Sequence, residues 1–170
     1  MVKDGSWAKD SVNWTQSDVN NNFKAGNLAM QQNGPWQLPN LTADAPELNF
    51  GVTTLPKMTS DSGQATSILG GENMGVVKKD DNKGAIEFLK YYEQDEVMIK
   101  AMKKYGSFPT KTEAAKDAYW LEDDVQKMFI KQMETAIPRG PSPKWPSYST
   151  ALQTAIQEAM TIKKMLQMLQ

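Results

Sequence analysis

Phe23-Lys24-Ala25-Gly26-Asn27-Leu28-Ala29-Met30, followed by Asn33-Gly34-Pro35-Trp36, is the stretch on which the fold assignment turns. Thr15 to Lys24 is polar apart from Val19 and Phe23. These lie four residues apart, the spacing of a short helix touching a core along one edge. Gly26 suits the stop of that helix. Leu28-Ala29-Met30-Gln31 has the pattern of a short strand. Asn33 or Gly34 then suits a helix cap with Pro35 as the first residue, which would hold the Trp36 ring at the mouth of a helical turn.

Downstream, Leu48, Phe50, Val52 and Thr54 alternate with Asn49, Gly51 and Thr53, and Pro56 ends the run, so a strand is predicted. Residues 57–66 read as a loop. Ile68-Leu69 begins a second strand-like segment, broken at Gly70-Gly71 and resumed at Met74-Gly75-Val76-Val77. Paired glycines there mark a bend or a close backbone approach. Two helical stripes follow: Ala85, Ile86, Leu89 and Tyr92, then Val97, Met98, Ala101, Met102 and Tyr105, with Gly106 as the stop. Thr110 and Glu113 have capping-box spacing and predict a further helix. Leu121, Val125, Met128, Phe129 and Met133 form another stripe. Pro138, Pro141, Pro143 and Pro146 predict an extended arm over 137–146. Leu152, Ala155, Ile156, Ala159 and Met160 predict an amphipathic helix, continued by Ile162, Met165, Leu166 and Leu169. Strands in the first half and a helix-rich second half give an α/β or α+β order.

Composition narrows the chemistry. The chain has 170 residues, 39% apolar and 23% charged, which suits a folded domain with a real core. Nineteen basic and 20 acidic residues leave no electrostatic footprint for nucleic acid or anionic membrane. With no cysteine and no histidine, disulfides, thiol nucleophiles, zinc-thiolate sites and His-based triads are excluded within this chain. No apolar run approaches a bilayer span, and Met1 to Trp14 has no signal-peptide core. As written the chain carries no export address, so it is expected either to be cytoplasmic or to have its address on an upstream part.

The opening stretch resembles the family-1 extracellular solute-binding proteins, receptors of bacterial ABC importers of the maltose/oligosaccharide type. Five later segments resemble the family in order. They are Asn49-Phe50-Gly51-Val52 with Leu55-Pro56, Gly70-Gly71-Glu72-Asn73, Glu87-Phe88-Leu89-Lys90, Gly106 with Phe108-Pro109-Thr110, and Pro141 to Trp145 with Ala151 to Met160. The resemblance implies the C-terminal part of a two-lobe, periplasmic-binding-protein-like (type II) α/β fold, with the N-terminal lobe lying upstream. Met1-Val2-Lys3-Asp4-Gly5 looks like the end of a helix from that upstream part. The resemblance divides the chain into a C-terminal-lobe segment (1–66), a crossing strand and helices of the other lobe (67–135), and a proline-rich arm with closing helix (136–170). The implied activity is oligosaccharide binding by stacking aromatics and hinge closure, with delivery to a membrane permease, no cofactor and no catalysis; the alternatives are an isolated fragment of such a receptor that binds nothing and, less favoured, a carbohydrate-active enzyme using Glu72. The implied location is extracellular or periplasmic, anchored as a lipoprotein in the full-length protein. The tail from Thr161 to Gln170 departs from the family, which often breaks its helix there with glycine.

Sugar sites combine exposed aromatic rings, which lie on C–H faces, with planar polar groups that fix hydroxyls. Trp36, beside Gln31, Gln32 and Asn33, fits a stacking ring. On residues alone it fits a core or capping tryptophan equally, and the resemblance favours stacking. Gly71 would let a ligand approach the backbone, and Glu72 could accept two hydroxyl bonds. A plain bend with a solvated carboxylate fits Glu72 as well. Trp145 and Tyr148 flank Pro146 and fit either cleft aromatics or rings that dock the arm. Arg139 is expected to be solvated. Asp80-Asp81, Glu93 with Asp95-Glu96, and Glu122-Asp123-Asp124 would suit paired carboxylates for glycoside hydrolysis. Each lies at a helix end or on a polar face, where a dipole-matching role is the default. The eleven methionines mostly occupy stripe positions and read as core filler, and Trp7 and Trp14 read as packing residues.

Overall fold

The computed structural model describes residues 4–57, 59, 63 and 65–161. The chain forms two compact units. One joins Met1–Gln31 to Gly140–Gln170, and the other is Gln32–Arg139.

In the first unit, α1 (Gln16–Lys24) follows a 3-10 turn at Lys9–Asn13. Its start is written in the sequence. Thr15 Oγ1 accepts from the Asp18 N–H at 3.2 Å, and Asp18 Oδ2 accepts from the Thr15 N–H at 2.8 Å. This reciprocal box satisfies two otherwise orphaned donors. The stop at Gly26 is also as expected: its φ is +75°, and Asn27 N–H reaches back to Asn22 O at 2.9 Å. The inward edge is broader than expected. Val19 and Phe23 are half-buried, while Asn20 is buried at 5% exposure and accepts from Gln31 Nε2 at 3.2 Å. A buried amide requires such a partner. Leu28 to Gln31 is irregular chain, not a strand.

In the second unit the helices run α2 (Leu38–Asp44), α3 (Lys83–Tyr92), α4 (Asp95–Tyr105), α5 (Ala118–Leu121) and α6 (Asp124–Met133). The strands β1 (Ile68–Leu69) and β2 (Ile137–Pro138) pair in parallel, Ile68 with Ile137 and Leu69 with Pro138. Leu41, Met98, Ala114 and Trp120 form the buried apolar set of the described residues, and all four lie in this unit. Trp120 is wholly buried, with Tyr119 edge-on at 5.2 Å and Phe108 tilted at 6.5 Å.

Several expectations are corrected. Residues 48–54 form no strand. The alternation nevertheless persists in burial: Leu48, Phe50, Val52 and Thr54 are half-buried, and Asn49, Gly51 and Thr53 are exposed. The pattern places side chains on two sides of the chain. A strand also needs a ladder partner, and the described ladder joins only β1 and β2. Met74 to Val77 is likewise irregular chain without a ladder. Thr110 and Glu113 make no capping box. Thr110 Oγ1 turns to Met98 Sδ at 3.8 Å, Glu113 pairs with Lys116 at 2.7 Å, and a single 3-10 turn at Ala114–Lys116 results. Asp117 then caps α5 by accepting from Tyr119 N–H at 2.9 Å, and Asp123 caps α6 by accepting from Gln126 N–H at 2.8 Å.

The expected arm over 137–146 is shorter than its prolines suggest. Ile137–Pro138 is β2, and α7 (Trp145–Thr161) already begins at Trp145. Pro146 is compatible with this because the first helical turn needs no N–H from it. Helix α7 belongs to the first unit, where Gln157 Nε2 donates to Val12 O at 3.3 Å. Its expected apolar face is open among the described residues, with Leu152 61% and Ile156 49% exposed. The continuation through Ile162 to Leu169, and the expected helix end at Met1 to Lys3, lie outside the described residues. Among the described residues no helix is long and apolar enough to cross a membrane.

Candidate functional site

The turn that carries Trp36 is built by its neighbours. Asn33 Oδ1 accepts from the Gly34 N–H at 3.0 Å, which sets the entry to the turn. Gly34 is extended (φ −105°, ψ 171°) and caps a 3-10 turn at Pro35–Gln37, closed by Gln37 N–H to Gly34 O at 3.2 Å. Pro35 fixes its own backbone at the first position of that turn. The six-membered ring of Trp36 lies where a Gly34 side chain would project. A Cβ on Gly34 would overlap Cε3, Cζ3 and Cη2 of the indole. Glycine is therefore required here for close approach. The indole is seated on the backbone but not enclosed, and 47% of Trp36 is exposed.

The turn is braced by the end of α4. Gly106 ends that helix with φ +67°, and a Cβ on it would sit 2.6 Å from Pro39 Cδ and 2.7 Å from Pro35 O. The Pro39 ring and the Pro35 carbonyl thus rest on a residue that must lack a side chain.

Gly70, Gly71 and Glu72 are exposed and follow β1 directly. Neither glycine has a left-handed backbone, and among the described residues a Cβ on either would meet nothing within 4 Å. Packing among the described residues does not require glycine at these positions. No atom of the Trp36 indole lies within 4 Å of where a Gly71 side chain would project.

Trp145 and Tyr148 stand on the first turn of α7, three residues apart and so on one face. They are 37% and 55% exposed. The structure places them in the unit formed with residues 1–31, whereas Asn33, Trp36, Gly71 and Glu72 lie in the Gln32–Arg139 unit. Arg139 is exposed.

One cluster has no counterpart among the motifs of the sequence. Lys103 Nζ lies 5.5 Å from the Tyr119 ring centre and 5.9 Å from that of Trp120, and pairs with Asp117 at 2.8 Å. The Lys103 hydrogen bond, helped by the Tyr119 N–H, holds the Asp117 carboxyl below the usual carboxylate range. The Tyr-Trp pair inside a charged stretch is the signal that could have located it. Two buried polar atoms here, Trp120 Nε1 and Gln126 Oε1, have no hydrogen-bond partner among the described residues. The cluster is a packing centre, since Trp120 is sealed from solvent.

The acidic groups behave as helix-end residues. Asp81 Oδ1 accepts from Lys83 N–H at 2.9 Å, Asp95 pairs with Lys111 at 3.1 Å, and Asp124 pairs with Lys127 at 2.8 Å. Among the described residues, no group of three or more acidic, His or Cys side chains is placed to hold a metal. Methionine is core filler at Met98 but not at Met30 or Met74, which are 85% and 55% exposed. Trp7, expected as a packing residue, is 42% exposed; it lies ahead of the first helical turn, where little of the chain covers it.

A family model described as bacterial extracellular solute-binding protein matches residues 1–129. That span includes the Trp36 turn, its α4 brace, the Gly70–Glu72 segment and the buried aromatic cluster. The helix-rich architecture with few strands agrees with a portion of that family's α/β fold. Such proteins bind a solute for transport on the outer side of the cell and are typically not enzymes. By this match over about three-quarters of its length, the chain belongs to the bacterial extracellular solute-binding proteins.

Proposed function

We propose that the solute is a carbohydrate, an oligosaccharide of the maltodextrin class, captured for an ABC importer. The observation that carries this reading is the half-exposed Trp36 indole, seated on Gly34 within a proline-fixed turn. A rigid aromatic surface suits the C–H face of a pyranose, because little conformational freedom is lost when the sugar lies on it. Asn33 beside it, and Gly71 with Glu72, are assigned to the ligand's hydroxyl groups. The unexplained openness at Gly71 supports this, since a ligand approaching the backbone would give glycine a reason to stand there. Trp145 and Tyr148 are assigned as further aromatics, supported by their shared, exposed helix face.

In this reading residues 1–66, 67–135 and 136–170 are segments of a two-lobe receptor, with the opposing contacts supplied by an N-terminal lobe. Sugar touching both lobes would favour the closed state, which delivers it to the permease. A lipoprotein anchor on the full-length protein would keep the receptor at the membrane.

The test is titration calorimetry of the chain, alone and with the N-terminal lobe supplied, against maltose, maltotriose and longer maltodextrins. Saturable heat with at least one member is expected, and Trp36→Ala should weaken it about tenfold or more, in line with loss of a well-packed aromatic contact. Unchanged affinity in Trp36→Ala, or no binding across the series with both lobes present, would overturn the proposal.

A further inference from the structure

The segment that carries Gly70-Gly71-Glu72 is tied to the end of α6 by one side chain acting in two directions. Gln132, near the end of α6, accepts from the Leu55 N–H through Oε1 at 2.7 Å. Its Nε2 donates to Ala65 O at 3.2 Å and to Thr135 Oγ1 at 3.1 Å. Thr135 Oγ1 in turn donates to the same Ala65 O at 2.7 Å. Ala65 is therefore held by two donors from one turn of chain. Two residues on, Ile137 N–H donates to Ser67 O at 3.0 Å, and the parallel pairing of β1 with β2 begins.

These bonds form a continuous row from Ala65 to Leu69, and Glu72 lies three residues beyond its end. The ladder itself is only two residues long on each strand, and Ile68, Leu69 and Ile137 are 56%, 42% and 58% exposed. Side-chain burial contributes little to holding β1 in place, so its register depends on the hydrogen bonds at its start. A glutamine is chemically suited to this because its amide accepts and donates at once.

We propose that Gln132 and Thr135 are the positioning residues of the segment that carries Gly70-Gly71-Glu72. They set the register of β1 against β2 and thereby the place from which Glu72 projects. The link to ligand binding rests on the proposed role of Glu72; the anchoring itself does not.

Amide exchange on the whole 170-residue chain tests the anchoring. Gln132→Leu should lower protection by about fivefold to tenfold at Leu55, whose acceptor is lost, and at Ile137, whose bond to Ser67 O lies beside the lost Ala65 anchor. Gln132→Glu should lower it at Ile137 alone at neutral pH. The introduced carboxylate still accepts from Leu55 N–H but faces the Ala65 carbonyl with a second acceptor. On acidification to about pH 4 about two-thirds of that carboxyl is protonated and donates to Ala65 O. Ile137 protection should then recover in Gln132→Glu but not in Gln132→Leu. Thr135→Val should give a smaller loss at Ile137, restored by Thr135→Ser. Equal protection in all variants, or no recovery with acid in Gln132→Glu, would overturn the proposal. Maltotriose affinity of Glu72→Gln, measured in parallel, decides the role of Glu72 independently of these results.

Discussion

Glycine has different reasons for standing where it does in this chain, and each has its own experimental signature. At Gly34 the reason is an indole lying on the backbone. Gly34→Ala should cost about 1–3 kcal/mol in urea unfolding, the range for forcing extra atoms into an occupied space. Under the proposed function it should also weaken oligosaccharide binding by displacing Trp36. At Gly71 no atom of the described residues is in the way and the backbone is not left-handed. Gly71→Ala should therefore change stability by less than about 0.5 kcal/mol, as at an ordinary surface site. Under the proposed function it should still lower sugar affinity. A stability loss at Gly71 as large as that at Gly34 would show that the chain, not a ligand, dictates the glycine. Trp36 illustrates the limit of reading residues singly. Its neighbours Gly34 and Pro35 announced a fixed turn, but neither of them could say whether the ring faced inward or outward.

Helix ends were the most legible elements, because capping is local chemistry. Gly26 and Gly106 both stop helices with positive φ, as their positions in the chain suggested. They differ in what surrounds them. A Cβ on Gly26 meets nothing, so Gly26→Ala should cost about 1–2 kcal/mol, the penalty of a left-handed backbone. Gly106→Ala adds the overlap with Pro39 and Pro35 O and should cost more, measured by the same unfolding experiment. Equal losses would mean that α2 yields freely and that α4 does not brace the Trp36 turn. Strands were the least legible elements. Period-2 alternation in Leu48 to Thr54 correctly separated half-buried from exposed side chains, yet no ladder formed there. Alternation reports the environment of side chains, while a strand depends on a backbone partner remote in sequence. Ile137–Pro138 shows the converse, since it sits in a proline-rich run and pairs nonetheless.

Across the whole molecule, four hydrogen-bonded carboxylates favour the folded state above their titration range. Asp4 is lowered to about 2 by its bonds to Ser6. Asp18 is lowered by the Thr15 hydroxyl and N–H, Asp117 by Lys103 and the Tyr119 N–H, and Asp124 by Lys127. In each case the folded pKa lies below the ordinary value of 3.8, so the unfolded chain binds protons first as pH falls. The stabilisation is present above that value and is lost as pH falls through the lowered folded values. Thermal unfolding followed downward from about pH 5 should show a falling Tm below about pH 4. Asp18→Asn should flatten that fall. An unchanged acid profile in the variant would remove Asp18 from the set of responsible groups.

The helix stops at Gly26 and Gly106 and the family resemblance were legible in the linear chain, whereas the start expected at Thr110 gave only a 3-10 turn and α7 began inside the expected arm. Caps, glycine stops and composition act over a few residues or need no neighbours at all. Packing in three dimensions was needed to seat Trp36 on Gly34 and to tie Leu55 to Ala65 through Gln132. It also put Asn33, Trp36, Gly71 and Glu72 in one unit and Trp145 and Tyr148 in another. The tie through Gln132 joins residues as many as 77 positions apart, and no local pattern encodes which distant partner a side chain meets.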